Sequence, residues 1–197
     1  MIVAIGKWVL REACGQMKAW QDEFPEYRDL SVNVNISGKQ FTDANFVTDI
    51  ENVLFDTGLS SDCLKLEITE TVIIDNRLAA LRIFAQIVEM GVQLQIDDFG
   101  TGYSALSYIQ NFPIHTIKID KSFVAGMADE GKSSELIRAI VSMARELGMD
   151  TVAEGVETTD QLNELKNLMC KYGQGFLLSR PAPKGSIEKI LVGNQKG

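Results

Sequence analysis

Apolar residues recur along this chain with two spacings, one typical of helices and one typical of strands, and the two alternate. Val9, Ala13 and Met17 follow the helical spacing and predict a helix over residues 4–24, ended by the segment around Pro25. Residues 30–36 alternate between apolar and polar side chains, which predicts a strand. The same patterns predict later strands over residues 64–68, 92–97, 115–120, 150–154 and 173–178, and helices over residues 44–55, 77–90, 104–110, 133–147 and 160–169, with a tail helix near Ile187.

Strands that alternate with helices predict an α/β domain with a parallel sheet. Parallel strands are usually apolar on both faces because helices cover both sides of the sheet. These strands instead carry a polar face, made of Asn33, Asn35, Lys65, Glu67, Gln93, Gln95, Asp97 and Lys118. A polar inner face favours a barrel with a site at the carboxyl ends of its strands. An antiparallel sheet with one solvated face is the alternative, and the helices between successive strands argue against it.

The number of strands sets the expected architecture. About six strands are visible, whereas a complete eightfold barrel takes about 250 residues. We therefore expect an incomplete TIM-like (β/α) barrel that lacks about the first two strands, built as a single domain over residues 1–197, with a tail helix and loose end over residues 184–197. The open edges would lie at residues 32–36 and 173–178. Exposed sheet edges invite pairing, so we expect a homodimer or a displaced segment that covers the gap.

Composition indicates an ordinary globular protein, with 45% hydrophobic and 23% charged residues. No apolar run approaches the roughly 18 residues of a membrane span, and the first residues lack the basic region of a signal peptide. We therefore expect no membrane contact from this chain. Cys14, Cys63 and Cys170 are widely spaced and odd in number, which indicates neither a disulfide framework nor a zinc cluster. A cytoplasmic location is the expectation.

The net charge of the chain limits the kinds of ligand that it is expected to bind. The net charge is −8 and no basic cluster is visible, so binding to duplex nucleic acid is not expected. An anionic small substrate is compatible with this balance if metal ions offset the local carboxylates. The chain has one histidine, so such ions would be held by oxygen, which favours magnesium, manganese or calcium over zinc.

The candidate chemistry centres on Asp97 and Asp98, two adjacent carboxylates where a strand ends, followed by Gly100 and Gly102. Two neighbouring like charges are costly to keep ionised without cations. Other predicted strand ends carry polar groups too, namely Asn35, Glu67, Lys118 with Asp120, and Glu154. Oxygen ligands that converge from several strands are what a two-metal hydrolytic site requires.

Six motifs, in order, give these strand ends a family resemblance. They are Asn35-Ile36-Ser37, Glu67-Ile68-Thr69-Glu70, Asp97-Asp98-Phe99-Gly100-Thr101-Gly102, Lys118-Ile119-Asp120, Glu154-Gly155-Val156-Glu157-Thr158 and Gln174-Gly175. Together they resemble the signature of the EAL-domain family, from the first residues to about Pro183. The resemblance implies a modified TIM barrel that hydrolyses cyclic di-GMP to linear pGpG with Mg²⁺ or Mn²⁺.

The resemblance also implies roles for the metal-site residues. Asn35, Glu67 and Asp97 would bind the first metal. Asp97 and Asp98 would share the second metal, with Asp97 as the bridge. Lys118 would contact the nucleophilic water.

The remaining motif residues would complete and support this site. Glu154 would be a metal-site carboxylate or general base, and Gln174 would orient water or substrate. Glu70 would steady the loop from Phe99 to Ser104, which in the family closes the site and touches the dimer interface. Asp120 and Glu157 would support the site from nearby.

One family feature is missing from the 197 residues. No Glu-Ala-Leu triplet occurs, and residues 2–10 resemble the helix that follows it in the family. A glutamate ligand and residues that help hold the substrate are therefore absent, so we expect weak or lost activity. The alternatives are a non-hydrolytic module that binds cyclic di-GMP or a protein partner, and a fragment of a longer chain that completes the site.

Simpler interpretations stand beside these roles. The glycines around Asp98 could be turn residues, with Asp98 as a helix cap. Lys118 could pair with Asp120 for structural reasons only. His115 lies on an apolar face and is expected to be packed rather than catalytic. Glu157 could serve helix capping.

Overall fold

A six-stranded parallel sheet forms the centre of the molecule. The structure is a computed structural model that describes residues 1–75, 77–100, 109–128 and 132–194. Within these ranges the strands lie in the order of the chain, from one sheet edge to the other. They are β1 (Val32–Ile36), β2 (Leu64–Thr69), β3 (Gln93–Phe99), β4 (Thr116–Ile119), β5 (Asp150–Glu154) and β6 (Tyr172–Gln174).

Helices lie between successive strands wherever the connection is described, and only the connection from β3 to β4 lies largely outside the described residues. This order confirms the predicted α/β class. In the described ranges they are α1 (Ile2–Glu23), α2 (Gly38–Phe41), α3 (Phe46–Thr57), α4 (Glu70–Asp75), α5 (Arg77–Glu89), α6 (Lys121–Ala125), α7 (Lys132–Glu146), α8 (Thr159–Asn167) and α9 (Lys184–Asn194). Most of the helix predicted over residues 104–110 lies outside the described residues. Among the residues that are described, no helix is both long and apolar enough to cross a membrane.

The hydrophobic core lies between the sheet and the helices. One face of each central strand supplies fully buried aliphatic side chains, such as Leu66, Ile96 and Ile117. Phe84 on α5 makes edge-to-face contacts with Phe41 and Phe112, at centroid distances of 5.3 and 5.5 Å. This packing fixes which face of each strand lies against the helices, because successive side chains of a strand point to opposite faces.

The other face of the sheet carries the polar side chains, as the alternation predicts. In the strand register Asn35 lies beside Glu67, and Glu67 lies beside Gln95. On β4 and β5 the polar face continues with Lys118 and Glu154. A strand slip of one residue would move these groups into the core, so the apolar face fixes the polar register.

The observed elements differ from the predicted ones at the last strand and at the short helices that follow strands. The strand predicted over residues 173–178 ends at Gln174. Beyond it the chain folds onto Val156, whose backbone N–H donates to the Gln174 carbonyl and whose carbonyl accepts from the Leu177 N–H. Three short helices, α2, α4 and α6, begin within two residues of a strand end and were not predicted. Ser37 begins α2 with a capping box to Gln40, whose side chain accepts from the Ser37 backbone.

Helix α9 packs near the amino-terminal helix rather than trailing free. The Trp20 indole Nε1 donates to Glu188 Oε1 at 3.1 Å, and the Tyr27 hydroxyl donates to the Leu191 carbonyl at 3.1 Å. These bonds join the region before β1 to the region after β6. β1 and β6 are the two edge strands of the described sheet, in the places predicted.

Candidate metal and hydrolytic site

A buried lysine stands at the centre of the carboxyl ends of four strands. Lys118 Nζ lies 2.8 Å from Glu67 Oε2, 2.9 Å from Asp97 Oδ1 and 2.6 Å from Glu154 Oε1. Lys118 is only 3% exposed. Burial lowers the pKa of its ammonium, but the hydrogen bonds that the ammonium donates to Glu154, Glu67 and Asp97 outweigh burial and raise that pKa overall. Lys118 is therefore a fixed cation, and it forms its ion pairs with these three carboxylates rather than with Asp120.

A bulge in β3 brings the two adjacent aspartates to one site. The pairing of β3 with β4 shifts register between Ile96 and Phe99, and Asp98 has a left-handed φ of 53°. In a regular strand Asp97 and Asp98 would point to opposite faces, and the bulge removes that alternation. Asp98 lies inside β3, so the helix-cap interpretation of this residue is wrong.

Three carboxylates form a group that could hold a metal ion. One oxygen each of Asp97, Asp98 and Glu154 lie within 4.8 Å of one another. Burial, then the charges of Asp97 and Asp120, raise the pKa of Asp98, so this oxygen cluster is electrostatically strained without added cations. Together with Glu67, four carboxyl groups lie around the ammonium of Lys118. The donor set is all oxygen and carries excess negative charge, which fits hard divalent cations.

Glu154 also faces a cavity. Burial raises the pKa of this carboxyl, and the hydrogen bond from Lys118 opposes that rise. Glu154 lies beside Gln174 in the strand register, and both line a cavity of about 260 Å³ with Lys121, Glu157 and Phe176. A proton acceptor of raised pKa beside an open cavity is suited to general-base chemistry.

The other predicted site residues lie close by, with different degrees of contact. Asn35 is exposed at the end of β1, in register with Glu67. Glu70 is buried at the start of α4, directly after β2. Of the loop from Phe99 to Ser104 only Phe99 and Gly100 are described, so the predicted contact of Glu70 with that loop lies outside the described residues.

Asp120 and Glu157 lie at the amino-terminal ends of two helices. Asp120 is the N-cap of α6, where its carboxylate accepts from the Ser122 backbone at 3.0 Å. Glu157 precedes the N-cap Thr158 of α8, and its backbone N–H donates to Gln161 Oε1 at 2.8 Å. Both residues nevertheless lie beside the site, since Asp120 raises the pKa of Asp98 and Glu157 lines the cavity.

Two inner-face residues that the motifs did not assign belong to the same network. Asn33 Nδ2 donates to Glu67 Oε1 at 2.8 Å and to Gln95 Oε1 at 3.5 Å. The alternation of β1 placed Asn33 on the polar face, but its partner depends on the register between β1 and β2. Sequence periodicity within one strand does not give that register.

His115 is packed and structural, as predicted. Its Nδ1 accepts a hydrogen bond from the Leu94 backbone N–H at 3.2 Å, at the start of β4 and far from the strand ends. Burial, then the charge of Lys65, lowers the pKa of the imidazole. A ring nitrogen that accepts from a backbone N–H is held in its neutral form.

The sequence of this chain is similar to those of known proteins. A profile of the EAL domain matches residues 1–181. Over 192 residues the chain is 43% identical to the bifunctional diguanylate cyclase/cyclic di-GMP phosphodiesterase MucR of Pseudomonas aeruginosa, covering 98% of this chain and 27% of MucR. It is 38% identical to the signaling protein YkoW of Bacillus subtilis, covering 98% of this chain and 24% of YkoW.

A solved structure matches the fold closely. The structure of the MucR phosphodiesterase in complex with c-di-GMP superposes with a TM-score of 0.90 at 42% sequence identity, covering 94% of this chain and 74% of that one. The curated relatives are much longer proteins, because this chain spans about a quarter of their length. The likeness therefore concerns one domain of each relative.

Proposed function

The chain belongs to the EAL domain family, and on that premise we propose that it is a phosphodiesterase domain that hydrolyses cyclic di-GMP to linear pGpG with Mg²⁺ or Mn²⁺. The observation that carries the proposal is the convergence of Glu67, Asp97 and Glu154 on Lys118, with Asp98 beside them. Four carboxylates from three strands repel one another when they are held together, and bound cations would offset that repulsion. The resemblance to phosphodiesterases such as MucR supplies the substrate.

We assign the ligand roles to the oxygen donors. Asn35, Glu67 and Asp97 would hold one cation, and Asp97 and Asp98 would hold the second. Two such ions, when bound, lower the pKa of a water and offset charge on the phosphodiester oxygens. The identity of the metal rests on chemistry, because an all-oxygen site with carboxylates suits magnesium and manganese.

The protein groups around these ligands would move the proton. The three donors of the Lys118 ammonium are directed at Glu67, Asp97 and Glu154. Lys118 would therefore donate to the oxygen of the attacking water once bound cations replace it as the partner of one of these carboxylates. Glu154, whose pKa is raised by burial, would accept the water's proton. The new bond would join the water oxygen to phosphorus while the bond from phosphorus to the 3′ oxygen breaks. That oxygen would take up a proton from solvent and leave as a hydroxyl, and Glu154 would return its proton to solvent. Gln174 beside Glu154 would orient the water or the substrate, and Glu70, Asp120 and Glu157 would support the site.

We also propose that hydrolysis by these 197 residues alone is weak or absent. No Glu-Ala-Leu triplet occurs among them, so one anionic ligand of the family is not supplied. A site with fewer anionic ligands holds its cations less tightly, and a two-cation reaction then slows.

Metal-supported hydrolysis by the purified chain tests the proposal. Cyclic di-GMP is incubated with the chain after removal of metals by EDTA, with and without MnCl₂, and pGpG is separated by chromatography. We expect slow, Mn²⁺-dependent formation of pGpG that Asp97→Ala abolishes. Asp62→Ala removes an exposed carboxylate at the opposite end of β2 and should leave turnover unchanged. Turnover that persists in Asp97→Ala would refute the assigned site.

A second candidate is a regulatory module that binds cyclic di-GMP or a protein partner without hydrolysing the dinucleotide. The missing triplet glutamate favours it, while the intact set of Glu67, Asp97, Asp98, Lys118 and Glu154 argues against it. Calorimetric binding of cyclic di-GMP with no pGpG formed over prolonged incubation would establish this alternative.

We place the proposed activity in the cytoplasm. Cys14, Cys63 and Cys170 are free thiols, which is typical of a reducing compartment. Burial raises the pKa of the Cys14 thiol to about 11, so this thiol is protonated and unreactive at neutral pH.

A further inference from the structure

Asn33 contacts the site from the edge strand. It lies on the inner face of β1, two residues before Asn35, and its side-chain amide donates to Glu67 Oε1 at 2.8 Å. A bond of this length to a carboxylate is charge-assisted and stronger than a bond between neutral groups. Asn33 therefore acts on a proposed metal ligand without itself standing among the ligands.

Each carboxylate oxygen of Glu67 accepts a hydrogen bond from a different side chain. Oε1 accepts from Asn33 and Oε2 accepts from Lys118 at 2.8 Å. Glu67 is 5% exposed, so water contributes little to holding its carboxylate. A carboxylate bound at both oxygens keeps one orientation, whereas a carboxylate bound only by Lys118 could rotate about its last torsion angle.

Gln95 fixes the amide of Asn33 in turn. The same Asn33 nitrogen lies 3.5 Å from Gln95 Oε1, and the two hydrogens of that nitrogen can serve Glu67 and Gln95 together. Gln95 is 2% exposed and lies beside Glu67 in the strand register. The three side chains form one hydrogen-bonded group on the polar face of the sheet, which Glu67 joins to Lys118.

We propose that Asn33 is a positioning residue that orients the Glu67 carboxylate toward a divalent cation, with Gln95 holding the Asn33 amide in place. The inference rests on the proposed function, because it takes Glu67 as a metal ligand. Partners that orient metal ligands typically contribute 10–100-fold in metal affinity.

The position of Asn33 separates this role from a purely structural one. Asn33 is exposed on an edge strand, so its amide would be hydrated if the bond to Glu67 were absent. Removing the amide leaves no buried group of Asn33 unsatisfied, but it leaves the buried oxygens of Glu67 and Gln95 without this donor, so some loss of folding stability is expected as well. An effect on metal affinity that greatly exceeds the effect on stability identifies positioning.

Calorimetric titration of the full chain with MnCl₂, after EDTA treatment and without substrate, tests the proposal. The variants are Asn33→Leu, which keeps the volume and removes the donors, and Gln95→Leu, which removes only the second contact. Gln93→Leu makes the same amide-to-leucine change on the inner face of β3, two residues farther from the site. Urea unfolding of each variant in EDTA reports stability, and Asn33→Ala replaces Asn33→Leu if the latter does not fold.

We expect Asn33→Leu to weaken Mn²⁺ binding at least about tenfold, Gln95→Leu to weaken it less, and Gln93→Leu to leave it unchanged. Wild-type affinity in Asn33→Leu, or an equal loss in Gln93→Leu, would overturn the role of Asn33 while leaving the proposed function intact. If the wild-type chain binds no Mn²⁺ at all, the proposed metal site fails and this inference fails with it.

Discussion

At the scale of single residues, Lys118 determines the charge balance of the site. Its ammonium is the common partner of Glu67, Asp97 and Glu154, and Lys118 and Glu67 are both nearly inaccessible to water. The metal-free protein therefore depends on a built-in cation to keep these carboxylates together. A bound divalent cation would take over part of that role.

Lys118→Met should unfold more easily in the absence of metal. Methionine keeps the length of the side chain but leaves the Glu67 carboxylate buried without its cation, and such a loss typically costs about 3–5 kcal/mol. Urea unfolding in EDTA measures the loss, and repeating it with saturating Mn²⁺ should reduce the difference from wild type, since ligands of the native state stabilise it.

Lys121→Met is the control for this experiment, because Lys121 is exposed and adjacent in sequence to the same strand end. We expect its stability in EDTA to stay within about 0.5 kcal/mol of wild type, as is usual for surface substitutions. If Lys118→Met were as stable as Lys121→Met, the ion-pair network would contribute nothing to folding.

His115 predicts an acid-dependent loss of stability. Burial and Lys65 lower its pKa in the folded state, so the folded protein binds fewer protons than the unfolded chain near that pKa. The stabilisation from neutral His115 is therefore complete above the unfolded value of about 6.5 and is lost as pH falls through the folded value. His115→Asn keeps an acceptor for Leu94 N–H but cannot titrate.

Urea midpoints at pH 7.5 and pH 5.0 test this expectation. The decrease in midpoint between the two pH values should be smaller in His115→Asn than in wild type, while other titrating groups affect both proteins equally. Equal decreases would show that the imidazole stays neutral or is equally protonated in both folded and unfolded chains.

At the scale of elements, period and alternation predicted all six strands. β1 to β5 each contain buried residues, whereas none of the three residues of β6 is buried. The β3 bulge could not be predicted in this way. Asp97-Asp98-Phe99 reads as a regular strand end, and the left-handed φ of Asp98 depends on how β3 pairs with β4. The short helix α2 carried a readable signal, since Ser37 and Gln40 have the spacing of a capping box.

The junction after β6 depends on a glycine. A Cβ on Gly175 would lie 2.2 Å from both Val156 N and Val156 O, which are backbone atoms. Val156 N also donates to the Gln174 carbonyl, so the loops after β5 and β6 are in direct contact. The close approach keeps Gln174 beside Glu154, and only glycine permits it.

Gly175→Ala should therefore separate the two loops and destabilise the protein by at least about 1–3 kcal/mol, the usual cost of overpacking. Thermal or urea unfolding measures this loss. Gly185→Ala is the matched control, because nothing lies within 4 Å of its added Cβ and alanine is the better helix former in α9. A Gly175→Ala protein as stable as Gly185→Ala would mean that the loops can part without cost.

At the scale of the whole molecule, the sequence predicted which residues gather at the site better than it predicted the contacts between their atoms. Strand ends of a parallel sheet meet at one edge, so Glu67, Asp97, Lys118 and Glu154 could be brought together from alternation alone. Which atoms meet depends on cross-strand register and on side-chain rotamers. The three-dimensional structure was therefore needed to find two contacts. They are the hydrogen bond from Asn33 to Glu67 and the ion pair of Lys118 with Asp97 rather than with Asp120.

The two edge strands predict self-association. In the described part of the chain β1 and β6 each have a neighbouring strand on one side only, and parallel edges of this kind offer backbone donors and acceptors to another chain. Apolar side chains lie exposed beside β6, with Tyr172 at 50% and Leu178 at 55%. The contacts of α9 with α1 link the regions outside these edges but supply no strand.

We therefore expect a homodimer whose mass by light scattering is twice the 21.8 kDa of the chain. Tyr172→Lys places a charge on the β6 edge and should return the particle to the monomer mass, as edge lysines discourage strand pairing. Phe55→Lys makes a similar change on α3, where Phe55 is 87% exposed, and should leave the dimer intact. A wild-type particle of 21.8 kDa at all concentrations would contradict the prediction, and a dimer lost equally in both variants would place the interface elsewhere.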